Sequence, residues 1–177
     1  MIRPILIHPD PRLRKVCDPV SEVDDAVREL MDDMLETMYH APGIGLAAPQ
    51  LGVMRRVIVM DCAKGEDEEP EPYCLANPEI LWTSEETREH EEGCLSVPDV
   101  YAQVTRPAAV RVRYLNRDGA EEERAFEGIR ATCVQHEIDH LNGRLFIDFL
   151  SPMRRQMITS KMRKLKRERA RDRTAAE

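Results

Sequence analysis

The spacing of apolar residues along the chain predicts three amphipathic helices. The first covers residues 23–39, with Ser21 as its N-cap and acidic residues in its first turn. The second covers residues 129–141, a stretch without Pro or internal Gly, and Gly143 stands where this helix would end. The third begins with Ser151 as N-cap and Pro152 at the first helical position. Its apolar stripe consists of Met153, Met157, Ile158, Met162 and Leu165.

Shorter runs of β-branched and aromatic residues predict strands. These runs occupy residues 57–60, 73–75, 110–114 and 124–126. Between the last two, Asn116-Arg117-Asp118-Gly119 predicts a hairpin turn. Acidic stretches at residues 66–71, 85–92 and 121–123 are interpreted as solvated edges and loops, with the exception of Glu92, which belongs to a motif considered below. Helices combined with strands that pair through a tight turn indicate an α+β fold with antiparallel sheets.

The length of 177 residues fits a single folded unit. We divide the chain into one domain, residues 1–150, and a C-terminal helix with a basic extension, residues 151–177. No apolar run is long enough to span a bilayer, and the N-terminal residues resemble neither a signal nor a transit peptide, so export is not expected. Five cysteines without a regular framework of spacings indicate a reducing compartment, and we therefore predict a cytoplasmic protein.

Charge is divided unevenly between these two parts. Residues 151–177 contain ten Lys or Arg and three Asp or Glu, a net charge of +7, so the whole-chain value of −7 leaves −14 for residues 1–150. A basic helix of this kind is often only a solvated or frayed end. It can equally be a surface that contacts a polyanion.

The chemistry is concentrated in His136-Glu137-Ile138-Asp139-His140. On a helix the two imidazoles lie on one face, about 6 Å apart along the axis, and can hold one metal ion. Glu137 lies roughly 100° around the helix, where it can reach a water at the metal but is not an equal ligand. The pattern is typical of metallohydrolases. It makes this helix the predicted metal-binding HExxH centre of the α+β fold, between an N-terminal and a C-terminal helix.

A catalytic site of this kind needs a third protein ligand. A metzincin would have a third His at position 146, but that residue is Phe146. After the motif, Asp148 is the nearby carboxylate and Glu168 lies in the basic tail, and neither is well placed for a thermolysin-like site. Cys94, within Glu92-Gly93-Cys94-Leu95-Ser96, is the better candidate because its thiolate would complete a Cys/His/His set.

Three segments together resemble the motifs of the peptide deformylase family. They are Gly43-Ile44-Gly45-Leu46-Ala47-Ala48-Pro49-Gln50, Glu92-Gly93-Cys94-Leu95-Ser96 and Gln135-His136-Glu137-Ile138-Asp139-His140. The resemblance extends from the His8-Pro9 region to Ser151-Pro152. It implies a metal-dependent hydrolase that removes the formyl group from N-formylmethionyl nascent peptides and releases formate.

The resemblance also implies roles for individual residues. Glu137 would be the general base and then the acid, while the Gln50 side chain and the Leu95 backbone N–H would hold the oxyanion. Cys94, His136 and His140 would bind one divalent ion, Fe²⁺ in the cell, with Zn²⁺, Ni²⁺ or Co²⁺ as substitutes. The substrate site would consist of Ile44, Gly45, Gly93, Ile129 and Cys133.

Partners and rival functions complete the expectations. The resemblance favours a ribosome-facing role for the basic C-terminal helix, whereas no membrane partner and no nucleotide cofactor are expected. The Gly43/Gly45 pair does not fit a dinucleotide fingerprint. Two alternatives remain open. One is a zincin-like endopeptidase, which would digest casein, and the other is a ribosome-binding module whose metal is structural and has four protein ligands.

Overall fold

The fold is given by a computed structural model that describes residues 1–176. Within that range there are three α-helices, α1 to α3, spanning Asp25–His40, Gly128–Leu141 and Pro152–Ala175. Seven strands, β1 to β7, span Gly45–Ala47, Val57–Met60, Tyr73–Thr83, Thr87–Cys94, Val97–Pro107, Ala109–Leu115 and Glu121–Glu127. Single turns of 3₁₀-helix lie at Pro11–Arg14, Ala48–Leu51 and Phe146–Phe149. The chain is therefore α+β, as predicted.

Both sheets are antiparallel. The larger has five strands in the order β1-β2-β3-β6-β7, and β4 and β5 form a separate hairpin. The predicted turn between β6 and β7 is confirmed, because Gly119 N–H donates to Asn116 O at 2.9 Å and the Asn116 side chain accepts from Ala120 N–H at 3.0 Å. Because β1 pairs with β2 alone, it is an edge strand of the larger sheet.

The five-stranded sheet packs between α1 and α2. Along β2, Ile58 and Met60 join the cluster that contains Val134 of α2, whereas Val57 and Val59 join the cluster that contains the methionines of α1. This alternation is the two-residue period of a strand buried on both faces. α2 is therefore enclosed on nearly all sides, and ten of its fourteen residues are buried.

The structure differs from the prediction in the length of β3 and in the strand β4. β3 runs to Thr83 and not to residue 75, because Asn77, with φ +50°, and the following Pro78 are accommodated in an irregularity of the pairing with β6. The acidic stretch 85–92, which was assigned to solvated edges and loops without a predicted strand, is mostly a strand. It lies largely in β4, where Glu89 and Glu91 are exposed and Glu92 is buried, while the buried apolar residues of the hairpin, such as Ala102 and Val104, come from β5.

The helix ends show one error and two confirmations. α1 begins at Asp25 with Asp24 as its cap, which accepts from Val27 N–H at 2.9 Å, so Ser21 is not the N-cap. Upstream of this cap, Val20 exchanges two hydrogen bonds with the Asn77 side chain. α3 starts as predicted with Ser151 and Pro152, and α2 ends as predicted before Gly143, which has φ +72°.

The predicted apolar stripe of α3 is only partly correct. Ile158 and Met162 are buried against the body and Leu165 packs partly against it, but Met153 and Met157 are 74% and 67% exposed. The exposure of Met157 follows from its angular position around the helix axis. Ile158, Met162 and Leu165 follow one face, and Met157 lies about 100° away from Ile158. Between Ser151 and Leu165, α3 therefore packs on the body through the single face that contains Ile158, Met162 and Leu165.

No helix within residues 1–176 has the length and apolarity needed to cross a membrane.

Candidate metal centre and active site

α2 places both histidines and Glu137 in the interior. The rings of His136 and His140 are 5.1 Å apart between centroids, and the two residues are 8% and 1% exposed. His136 Nδ1 lies 2.8 Å from Glu92 Oε1, so we assign the proton to Nδ1 and leave Nε2 free toward the site. Nε2 lies 3.8 Å from Glu137 Oε1. The helix predicted from the 129–141 pattern thus carries the three side chains to one buried location.

Cys94 meets the two histidines from the other sheet. It is the last residue of β4, where the pairing with β5 shifts register between Gly93 and Cys94. Its Sγ lies 3.4 Å from His140 Nε2, and one ligand atom from each of Cys94, His136 and His140 lies within 4.8 Å of the others. In the part of the chain that the structure describes, this is the one group of His, Cys, Asp or Glu residues with that convergence.

The rival third ligands lie elsewhere. Asp148 accepts two hydrogen bonds from the Arg14 guanidinium, at 2.7 and 3.0 Å, and one from Leu145 N–H. Glu168 is exposed on the C-terminal half of α3. The Asp148 carboxylate is therefore paired with Arg14 and the Glu168 carboxylate is exposed on α3, whereas the Cys94 thiol lies beside His140.

The three residues fit a divalent cation. One thiolate and two imidazoles are a donor set that suits Zn, Fe, Co and Ni, and three protein ligands leave a position open. Glu137 Oε2 is buried and has no hydrogen-bond partner among the residues described, so a polar group or a cation is expected beside it. Burial raises the pKa of Glu137 to about 7.

A buried charge network supports His136 from behind. Arg106, which is 5% exposed, donates to both Glu92 oxygens at 2.7 and 3.0 Å and to Asp139 at 2.8 Å. Burial alone would raise the pKa of Glu92, but hydrogen bonds from His136 and Arg106 outweigh it and lower the pKa to about 2. The ionised Glu92 carboxylate therefore orients the His136 ring.

Replacing Arg106 with Met should destabilise the fold strongly. Removing one partner from a buried ion pair leaves Glu92 charged and partly unpaired, which costs about 3 kcal/mol in the free energy of unfolding. The measurement is urea denaturation followed by circular dichroism. Arg117→Met, which breaks an exposed pair with Asp32 of 2.8 Å, is the control and should leave stability nearly unchanged. Equal midpoints for the two variants would contradict a structural role for the network.

Gln50 is held with its amide nitrogen toward the centre. Its Oε1 accepts from Ala47 N–H at 2.9 Å, which fixes which end of the amide is oxygen. Its Nε2 then lies 3.0 Å from Ser96 Oγ and 3.6 Å from Cys94 Sγ. The side chain is 1% exposed and can donate to an atom that approaches Cys94.

A cavity of about 780 Å³ connects these groups to solvent. It is lined by ten of the eleven residues that the sequence assigned to the site, and the exception is His140, which lies behind Cys94 and His136. The ten are Ile44, Gly45, Gln50, Gly93, Cys94, Leu95, Ile129, Cys133, His136 and Glu137.

Gly45 is required where β1 passes the side chains of Cys133 and Glu137. A Cβ at this position would lie 2.8 Å from Cys133 Sγ and 2.9 Å from Glu137 Oε1, closer than atoms pack. The backbone of β1 therefore approaches the carboxylate as only Gly allows. Any ligand that lies along this edge strand is brought next to Glu137.

Sequence reasoning missed several residues of the site. Arg106 and Asp139 support Glu92, Ser96 accepts from Gln50, and Thr132 and Arg169 line the cavity. Ser96 and Asp139 lie inside the motifs and could have been suspected on that ground. Arg106 had no local signal, because it lies 14 residues from Glu92 in the sequence and their side chains meet only in the folded structure.

Comparison with known proteins gives one consistent result. A family model described as polypeptide deformylase matches residues 2–156. The chain is 61% identical over 165 residues to a peptide deformylase of Methylocella silvestris, covering 92% of this chain and 84% of that protein. It is 54% identical over 175 residues to one of Maricaulis maris, with 99% of each covered. A crystal structure of peptide deformylase from Ehrlichia chaffeensis is similar, with a TM-score of 0.91, 39% identity, and 96% of this chain and 99% of that chain covered.

Proposed function

This chain belongs to the polypeptide deformylase family, whose members are metal-dependent hydrolases that remove the N-terminal formyl group from nascent peptides, and we propose how its own residues perform that reaction. The observation that carries the proposal is the convergence of Cys94, Glu137 and Gln50 on one wall of the cavity, beside the edge of β1. We assign Cys94, His136 and His140 to the metal, and Glu137, Gln50 and Leu95 to catalysis.

The peptide would bind as an added strand along β1. β1 has a partner on one side only, so the backbone near Ile44 and Gly45 offers hydrogen-bonding groups to an extended chain. The first side chain, that of methionine, would then enter the part of the cavity lined by Ile129 and Cys133. Gly93 would let the peptide approach β4 from the opposite side.

The chemical step would use two proton transfers at Glu137. A divalent ion at the three ligands supplies Lewis acidity, which lowers the pKa of water and polarises the formyl carbonyl. Glu137 would accept a proton from the attacking water at a carboxylate oxygen and then donate it to the leaving amine. Gln50 Nε2 and the Leu95 backbone N–H would stabilise the negative charge on the formyl oxygen, and formate would leave.

Anaerobic purification tests the function and the metal together. We propose Fe²⁺ as the ion used in the cell, with Zn²⁺, Ni²⁺ or Co²⁺ as substitutes that the same donors accept. Elemental analysis should find about one Fe per chain, and the same sample should release formate from formyl-Met-Ala. Absence of formate release from metal-loaded protein would reject the assigned site, and cleavage of casein would indicate an endopeptidase.

We further propose that α3 docks this enzyme on the ribosome in the cytoplasm, while residues 1–150 carry catalysis. Ile158 and Met162 hold α3 to the body, and all residues from Lys166 to Ala176 are exposed. The exposed side of α3 therefore presents a row of cations that can contact RNA phosphates.

Neutralising three exposed cations of α3 should weaken ribosome binding. In the variant Lys161→Gln, Lys164→Gln and Arg167→Gln, each lost phosphate contact should reduce the slope of log affinity against log salt by about one. Affinity is measured by cosedimentation at several salt concentrations, with formyl-Met-Ala hydrolysis as the check on folding.

The control variant also removes three positive charges, but from residues of the body and not from α3. Lys15→Gln, Arg55→Gln and Arg144→Gln replace three exposed cations that lie before α3. This variant should bind ribosomes like the unmodified protein. Equal binding by both variants, or binding that does not depend on salt, would return α3 to the interpretation of a solvated helix end.

A further inference from the structure

A short N-terminal segment, residues 6–8, which we call the strap, lies against two residues at the metal centre. Leu6 N–H donates to the Gln50 carbonyl at 2.7 Å, and His8 N–H donates to the Ser96 carbonyl at 2.9 Å. The side chains of Gln50 and Ser96 also bond to each other, with 3.0 Å between Nε2 and Oγ. The strap therefore bonds to the backbone of both members of this pair, although they belong to different segments of the chain.

The His8 side chain connects the strap to α3. Its Nε2 lies 2.8 Å from Oγ1 of Thr159, the residue after Ile158 on α3. His8 is 6% exposed, and Ile7 of the strap packs in the same apolar cluster as Ile158 and Met162. Burial lowers the pKa of His8 to about 4, so its ring is uncharged near neutral pH. The contact is thus a hydrogen bond between uncharged groups where α3 meets the body.

Thr159 is the one side chain that bonds to the His8 ring among the residues described. His8 Nδ1 is buried and has no hydrogen-bond partner within residues 1–176. The Thr159 hydroxyl can donate or accept, so it satisfies Nε2 in either tautomer of the ring. Removing the hydroxyl would leave Nε2 unpaired as well. A buried ring without hydrogen bonds is unfavourable, so we expect the ring and the strap to move.

We propose that His8 and Thr159 are positioning residues, through which α3 holds the Gln50 amide at the metal centre. Thr159 bonds to the His8 ring, and the His8 backbone bonds to Ser96. The Ser96 hydroxyl in turn accepts from Gln50 Nε2, which lies 3.6 Å from Cys94 Sγ. This inference rests on the proposed function, since it concerns the side chain to which we assign stabilisation of the formyl oxygen.

Thr159→Val should lower turnover without weakening substrate binding. Val removes the hydroxyl with little change in shape. An oxyanion donor acts on charge that develops in the transition state, so its displacement lowers kcat with little change in KM. We expect kcat for formyl-Met-Ala to fall by about tenfold, because a misplacement of about 1 Å costs up to about 10²-fold. The metal content, measured on the same samples, should stay unchanged.

Two further variants of α3 give the matched comparison. Thr159→Ser keeps the hydroxyl and should retain nearly full turnover. Thr174→Val makes the same change as Thr159→Val at an exposed position, where the hydroxyl donates to the Ala170 carbonyl of the same helix at 3.0 Å. It should leave kcat and KM unchanged. Equal kcat in Thr159→Val and Thr174→Val would overturn the proposal.

A double-mutant cycle separates positioning from a general loss of structure. If Thr159 acts through Gln50, Thr159→Val should lower kcat by less than about twofold in a protein that already carries Gln50→Ala, because coupled changes are not additive. A merely structural role would instead give the same loss in both backgrounds, and that result would contradict the proposal.

The NMR signals of the Gln50 side-chain amide test the same point without turnover. In the zinc-loaded, isotope-labelled protein these signals are assigned by their absence from Gln50→Ala. They should shift in Thr159→Val and stay in place in Thr159→Ser and Thr174→Val. Unshifted signals in Thr159→Val would reject the positioning role. Failure of the unmodified, metal-loaded protein to release formate from formyl-Met-Ala would instead reject the proposed function, and the shift of the amide signals would still decide whether α3 positions Gln50.

Discussion

Glu137→Gln should lower the turnover of formyl-Met-Ala by at least about two orders of magnitude while the metal content stays unchanged. General acid-base catalysis contributes about 10²–10⁴ to rates, and the amide of Gln can neither accept the proton from water nor return it to the amine. The three ligand side chains are untouched by the change. The expected loss is therefore in kcat, with metal content and KM close to those of the unmodified enzyme.

The matched control for this prediction is Glu127→Gln. Glu127 is the exposed residue before α2, and its side chain makes no capping hydrogen bond, so the same change of charge there should leave turnover nearly unaffected. Steady-state kinetics and elemental analysis are performed on both proteins. Near-normal kcat in Glu137→Gln would require another base, and a loss of metal would instead make Glu137 a ligand.

Cys94→Ala should abolish stable metal binding and, with it, hydrolysis. A metal site that loses one of three protein ligands loses more affinity than the 10–100-fold typical of changes to supporting groups. His136 and His140 would remain, but two imidazoles on one helix are a weak site. The expected result is little bound metal after dialysis, measured by elemental analysis, and little formate release without a large excess of added metal.

Cys74→Ala is the comparison for Cys94→Ala. Both cysteines are half-buried in strands, but Cys74 lies on β3 in the cluster that packs against α1, away from the histidines. It should retain about one metal per chain. Full metal content in Cys94→Ala would show that another group completes the site and would reopen the question for Asp148, which the Arg14 ion pair otherwise engages.

Several features followed from the sequence because they depend on near neighbours in the chain. The spacing of apolar residues was sufficient for α2, and the run of β-branched residues was sufficient for β2, since each signal lies within one element. The Ser151-Pro152 start of α3 and the Asn116 turn are likewise local, because the capping or turning side chain bonds to backbone within four residues. The positions of His136, Glu137 and His140 on one helix follow from the same regularity.

Only the tertiary structure decided the features that depend on distant partners. β4 has a sequence dominated by charge and is a strand because β5 supplies the buried side of the hairpin. Arg106 bonds to Glu92 across 14 residues of sequence, and Cys94, at the register shift that ends the β4–β5 pairing, has its Sγ 3.4 Å from His140 Nε2. α3 packs on the body through Ile158, Met162 and Leu165, and this packing leaves Met153 and Met157 exposed. Chain-local patterns set which segments are regular, but the buried charge network and the cavity exist only where separate segments meet, because they are built from contacts between residues far apart in the sequence.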